Sequence, residues 1–170
     1  NICKVPSEQV QDFPASALQP PTECEVQFED TILLDHGAGW KYFKGTEEPA
    51  PSPIGTPTTM WTTIEYDDSH WNRGFTGIGY GDGDDNTIID TALSVYCRYT
   101  FFIDSLEDIG VLLLDIDFDD GFVAYLNGSE IARANLGIAG SETSWDQSAD
   151  NYRESYAGDG TLPARFMLND

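Results

Sequence analysis

Positive charge is scarce in this 170-residue chain: 8 Lys and Arg stand against 30 Asp and Glu, a formal charge of −22. Phosphate recognition needs clustered Lys and Arg, so nucleic acid and anionic lipid are excluded as partners. Sulfated or carboxylated polysaccharides are repelled too, unless divalent cations bridge the surfaces. Histidine is almost missing, and His36 and His70 lack metal-ligand spacing with any other His or Cys. There is no G-x-S-x-G elbow and no readable Cys-His arrangement. Carboxylate pairs could serve a glycosidase, but among 30 acids some pair arises by chance. The chain is therefore expected not to be an enzyme. No apolar run approaches the roughly 18 to 20 residues needed to cross a bilayer, so no membrane insertion is expected.

Three cysteines are too few for a disulfide-built scaffold. Cys3 and Cys24 both fall in a Pro-rich segment that a bridge between them would pin. Cys97 lies in SVYCRYTFF, where alternation groups it with Val95, Tyr99 and Phe101, and a buried free thiol is expected. The opening NICKVPSEQ has neither a basic n-region nor an apolar h-region, so any signal peptide is expected to have been removed. Acidity that salt would screen, together with the Cys3–Cys24 pair, points to an extracellular or cell-surface location.

Aromatic residues are plentiful: four Trp, eight Tyr and nine Phe favour β-structure. Residues 1–28, with Pro6, Pro14, Pro20 and Pro21, read as an extended arm or linker, and residues 29–170 as one β-sandwich domain. A second Pro-rich stretch, GTEEPAPSPIGTP (residues 45–57), reads as an exposed insertion. Period-two alternation marks strands in TMWTTIEY (59–66), SVYCRYTFFID (94–104) and GVLLLDIDF (110–118). The last places Leu112, Leu114, Ile116 and Phe118 on one face. GFVAYLNGSEIARAN is a hairpin, because Asn127-Gly128 supplies the two positive-φ positions of a tight turn. Short strands parted by Gly and Asp turns give an all-β, antiparallel sandwich.

WKYFKG (40–45), EYDDSHW (65–71), GIGYGDGDDNT (77–87), YCRYTFFI (96–103) and DFDDGFVAYLNGSEIARAN (117–135) occur in a familiar order. Over about residues 34–135 the chain resembles a galactose-binding-domain-like jelly-roll module of large secreted bacterial proteins, often found beside lamin-tail, CotH-like or phosphoesterase domains. The resemblance implies a jelly-roll sandwich, carbohydrate binding and a structural calcium ion. Similar modules continue after the hairpin with a long loop and further strands. Here LPARFMLND leads to Asp170, so one or two closing strands are expected to be missing. A fragment, or a strand supplied by another chain at an open sheet edge, would account for that.

Two acidic loops invite a metal. In GYGDGDDNT, Asp82, Asp84 and Asn86 have one-three-five spacing, but Thr87 and Leu93 replace the glycine and glutamate an EF-hand requires. Asp82, Asp84 and Asp85 could still hold calcium with backbone carbonyls, or the loop is a plain Gly-Asp turn. DIDFDDG fails the same test. Asp115 and Asp117 alternate with apolar neighbours and should face solvent. Asp119-Asp120-Gly121 reads as a corner whose adjacent carboxylates need compensation, for which Arg98 or Arg133 are candidates. Asp67-Asp68-Ser69 reads as a turn anchoring Trp71, with Trp40, Trp61 and Trp71 in the core.

Trp145 lies in the polar stretch GSETSWDQSADNYRESY beside Tyr152 and Tyr156. Trp145, Tyr152 and Arg153 are the candidate ligand contacts, by stacking on a sugar ring and binding its hydroxyls. A protein interface, or a loop folded back over the core, would use the same residues. Asn127-Gly128-Ser129 is an N-glycosylation sequon in an exposed turn. Two functions follow: a non-catalytic glycan-binding or adhesive module stabilised by calcium, or a structural subunit that joins neighbouring protein subunits, or copies of itself, into a filament or surface layer through strand or arm exchange.

Overall fold

The computed structural model describes residues 31–54, 58–81, 83, 85–155 and 162–168. The expected arm, its boundary at residue 28 and the Cys3–Cys24 pair lie outside them. Among the described residues, nine short strands and two single-turn 3-10 helices make an all-β unit. Strand β1 (Gly39–Lys44) lies between β2 (Asn72–Phe75) and β5 (Val95–Arg98), antiparallel to both. Strands β3 (Ile78–Gly79) and β4 (Thr87–Ile88) form a short parallel pair, an exception to the antiparallel expectation. Strand β6 (Leu112–Ile116) pairs with β9 (Ala164–Leu168), and β7 (Phe122–Leu126) with β8 (Ser129–Ala134), both antiparallel.

The β1–β5 register places Phe43 opposite Tyr96 and Lys41 opposite Arg98. Phe43 and Tyr96 open an aromatic cluster that runs through Trp71, Trp61, Tyr66 and Tyr125, with centroid separations of 5.0–6.3 Å. Trp71 and Tyr96 are among its most buried members, at 5% and 8% exposure. The expected turn holds Trp71 in place: the Ser69 amide donates to Asp67 Oδ1 (3.0 Å) and the Trp71 amide to the Asp68 carbonyl (3.1 Å). Cys97 is a free thiol on the opposite face of β5, and burial pushes it up to about 12.

Alternation is realised on β6. Leu112, Leu114 and Ile116 are half-buried opposite Leu168, Phe166 and Ala164, while Leu113 and Asp115 face solvent opposite Met167 and Arg165. Asp115 takes a two-pronged bond from Arg165 (2.7 and 2.6 Å). Within LPARFMLND, where no strand was expected from the sequence, Ala164–Leu168 forms β9.

Two other expectations fail locally. Residues 59–66 are not a strand: Met60–Thr62 is a 3-10 turn. The hydroxyls of Thr62 and Thr63 donate to the carbonyls of Thr59 (2.6 Å) and Met60 (2.9 Å), which offers the backbone a local alternative to a ladder. In residues 94–104 only Val95–Arg98 is strand, because pairing with β1 stops at Lys41–Arg98 and Phe102 is left 87% exposed.

Candidate functional site

The hairpin has the expected turn, with φ of 50° at Asn127 and 88° at Gly128. Asn127, the sequon asparagine, is exposed. Pairing then slips by one residue. Tyr125 faces Glu130, whereas Ala124 faces Ala132, so Ile131 is extra on β8. On a regular strand, residues three apart point to opposite faces. The bulge shifts the phase and brings Glu130, Arg133 and Tyr125 to the same face.

Arg133 is nearly sealed, with 6% of its side chain exposed. Its Nε and Nη2 bind Glu130 Oε1 and Oε2 (2.9 and 2.8 Å). Its Nη1 and Nη2 also reach the carbonyls of Leu136 (2.6 Å) and Ser141 (2.7 Å). Glu130 Oε2 accepts the Gly140 amide as well (3.0 Å). The Arg133 bonds hold the Glu130 carboxyl below its ordinary range, although burial opposes them. One ion pair thereby fixes residues 136–141 against the hairpin.

Beside this anchor lies an open depression of about 240 Å³, lined by Thr59, Tyr125, Gly128, Glu130, Gly140, Ser141 and Glu142. Burial raises the Tyr125 phenol above its ordinary value. Arg133 opposes that rise, and the charges of Glu130 and Glu142 add to it. The depression is below the roughly 300–1,000 Å³ that accommodates drug-sized ligands, so it suits one small ring or a chain end.

The residues singled out in sequence hang from separate anchors. Trp145 is half-buried: its amide donates to Glu48 Oε1 (3.0 Å) and its carbonyl accepts Ser94 Oγ (2.7 Å). Tyr152 is 80% exposed, and its hydroxyl donates to Glu154 Oε2 (2.7 Å). Arg153 lies over the Phe118 ring (3.9 Å) and donates to the Phe118 and Leu162 carbonyls, with Asp117 at 3.6 Å. Its guanidinium is committed to the corner.

That corner is compensated differently from expectation. Asp120 Oδ1 accepts the Arg153 amide (3.1 Å) and Asp119 Oδ1 the Ser155 amide (2.8 Å). Arg98 and Arg133 are engaged elsewhere, with Asp68 and Glu130. Asp82, Asp84 and Tyr156 lie outside the described residues. Asp85 is half-buried against Gly79, where an added Cβ would come within 2.6 Å of Oδ1.

Sequence reasoning missed Tyr125, Glu130, Ser141 and Glu142. The available signal was an acid and an arginine three apart on a strand, a spacing that can meet only across a bulge.

No protein-family model, curated protein or solved structure matches this chain. The depression and its chemistry therefore carry the functional reading.

Proposed function

We propose that this chain is a non-catalytic binding module of jelly-roll type, extracellular or on the cell surface, that contacts glycans. The observation that carries it is the depression pre-organised by Arg133. A rigid, polar hollow with an aromatic side chain binds without first ordering a loop, which lowers the entropic cost of association. The −22 charge directs it away from polyanions. In this reading the Gly-Asp loop around Asp85 supplies calcium stabilisation.

The test is a glycan array probed with the whole chain, in millimolar Ca²⁺ and in EDTA, beside Ser141→Trp. The indole fills the depression while the Ser141 carbonyl stays available to Arg133. Binding to a defined set of glycans, lost in Ser141→Trp at an unchanged melting temperature, is the expected result. Loss in EDTA would give the loop its calcium role. Binding that survives the filled depression sinks this placement of the site.

A second reading, a structural subunit of a filament or surface layer, is favoured by the outer face of β6–β9. Leu113 and Met167 are direct cross-strand neighbours yet 45% and 62% exposed, and Val111 beside them is 56% exposed. Light scattering across a dilution series at high salt, where self-repulsion is screened, should then show mass rising with concentration. A constant monomer mass removes this reading.

A further inference from the structure

The hydrogen-bonding inventory of the depression is lopsided. The Tyr125 and Thr59 hydroxyls aside, several of its donors are already engaged. The Gly140 amide goes to Glu130 Oε2, and the Ser141 amide to the Ile138 carbonyl (3.0 Å). The Ser141 hydroxyl proton also goes to the Ile138 carbonyl (2.6 Å). Arg133, the cation beside the depression, uses Nε, Nη1 and Nη2 on Glu130, Leu136 and Ser141. Acceptors predominate in what remains: the lone pairs of Ser141 Oγ, those left on Glu130, and the carboxylate of Glu142. Glu142 is exposed and has no hydrogen-bond or ion-pair partner among the described residues. The Thr59 hydroxyl, which caps nothing at the start of the 3-10 turn, adds a group that can accept.

The charges lean the same way. Glu130 is matched by Arg133, so the lining carries the single uncompensated charge of Glu142, close enough to act on the Tyr125 phenol. A sugar hydroxyl both donates and accepts, and it would find few donors here. A carboxylated or sulfated sugar would find only the Tyr125 and Thr59 hydroxyls, and would be repelled by Glu142. An ammonium offers three donors and no acceptor, which is the complement of this lining.

Resting on the glycan-binding reading, we propose that the depression selects an amino sugar carrying a free amine, its ammonium against Glu142 and Ser141 and its ring beside Tyr125. One exposed charge pair sets the scale of the selection, a few-fold in affinity rather than orders of magnitude.

The experiment is calorimetric titration of the whole chain with glucosamine, N-acetylglucosamine, glucose, glucuronate and n-butylamine. Wild type, Glu142→Gln and Ser141→Trp are compared. Glu142 is exposed and the glutamine is isosteric, so folding is unaffected. The expected result is glucosamine bound a few-fold more tightly than glucose or N-acetylglucosamine, with glucuronate weakest. The advantage should vanish in Glu142→Gln and shrink in high salt, and all sugar binding should vanish in Ser141→Trp. Equal affinity for glucose and glucosamine, still lost in Ser141→Trp, overturns the amine selection and leaves the glycan site standing. n-Butylamine binding as tightly as glucosamine overturns it differently, by showing a cation site blind to the sugar. No binding of any sugar overturns both readings.

Discussion

Trp71→Ala is expected to lower the free energy of unfolding by about 3 kcal/mol, the lower end of the range for truncating a large buried aromatic. Its ring is 5% exposed and packs on Phe43 (5.7 Å), Tyr66 (5.9 Å) and Trp61 (6.2 Å). Removing it cuts the link between β1 and the 3-10 turn that follows the Pro-rich segment. The lower end applies because, among the described residues, no large side chain is completely sealed. Water and neighbouring rings can therefore enter part of the space left. Trp71 Nε1 has no hydrogen-bond partner among the described residues, so Trp71→Phe, which deletes that orphaned donor, should cost much less than alanine. Urea unfolding followed by circular dichroism measures both. A loss below about 1 kcal/mol for the alanine variant would mean that the cluster is not the core; that threshold is well under the usual effect of such truncations.

The second large effect belongs to Asp68. Lys41 and Arg98 are directly opposite each other on β1 and β5, a pairing of like charges that alone would weaken the sheet. The Asp68 carboxylate joins them, with Oδ1 2.5 Å from Lys41 Nζ and Oδ2 2.9 Å from Arg98 Nε. Arg98 extends the joint to the carbonyls of Trp61 and Thr63. Asp68→Ala leaves two cations face to face in a site where the three side chains are 14–30% exposed. A loss of about 2–3 kcal/mol is expected, somewhat below the 3–5 typical of fully buried pairs.

The pH dependence identifies the cause. Burial raises the Asp68 carboxyl, but the hydrogen bonds from Lys41 and Arg98 outweigh it and leave the group below its ordinary range. A depressed folded-state value means stability that is present above the unfolded value, near 3.9, and is lost as pH falls through the folded one. Calorimetric melts of wild type and Asp68→Asn from pH 7 downward should therefore start apart and converge below about pH 4. A gap that stays constant down to pH 2 would assign the effect to packing instead of charge.

Local signals were read correctly where their partners lie close in sequence. Asn127-Gly128 fixed the hairpin, Asp67-Asp68-Ser69 the turn before Trp71, and the alternation of Leu112, Leu114 and Ile116 the inner face of β6. Local competition defeated the reading at residues 59–66, where alternation was real but threonine hydroxyls captured the carbonyls a ladder would use. Distant partners defeated it elsewhere. Strand β9 is defined by β6, some fifty residues earlier, and the Asp119-Asp120 corner is satisfied by amides of residues 153 and 155. The depression was least legible, because it depends on one surplus residue in a ladder whose register the sequence does not display.

Ile131 has a counting consequence. Straightening β8 to strict alternation with Ile131 retained would turn Arg133 away from Glu130, freeing the loop that Arg133 ties down, although no side chain of the depression itself would have changed. Strand length at this point is thus inherited information in its own right. Descendants could exchange Thr59 or Glu142 and retain a hollow with altered taste, whereas losing the bulge at an unchanged residue count would abolish the hollow. Kin that keep it should show the acid and the arginine three places apart after the Asn-Gly turn, or two places apart where the surplus residue was never acquired.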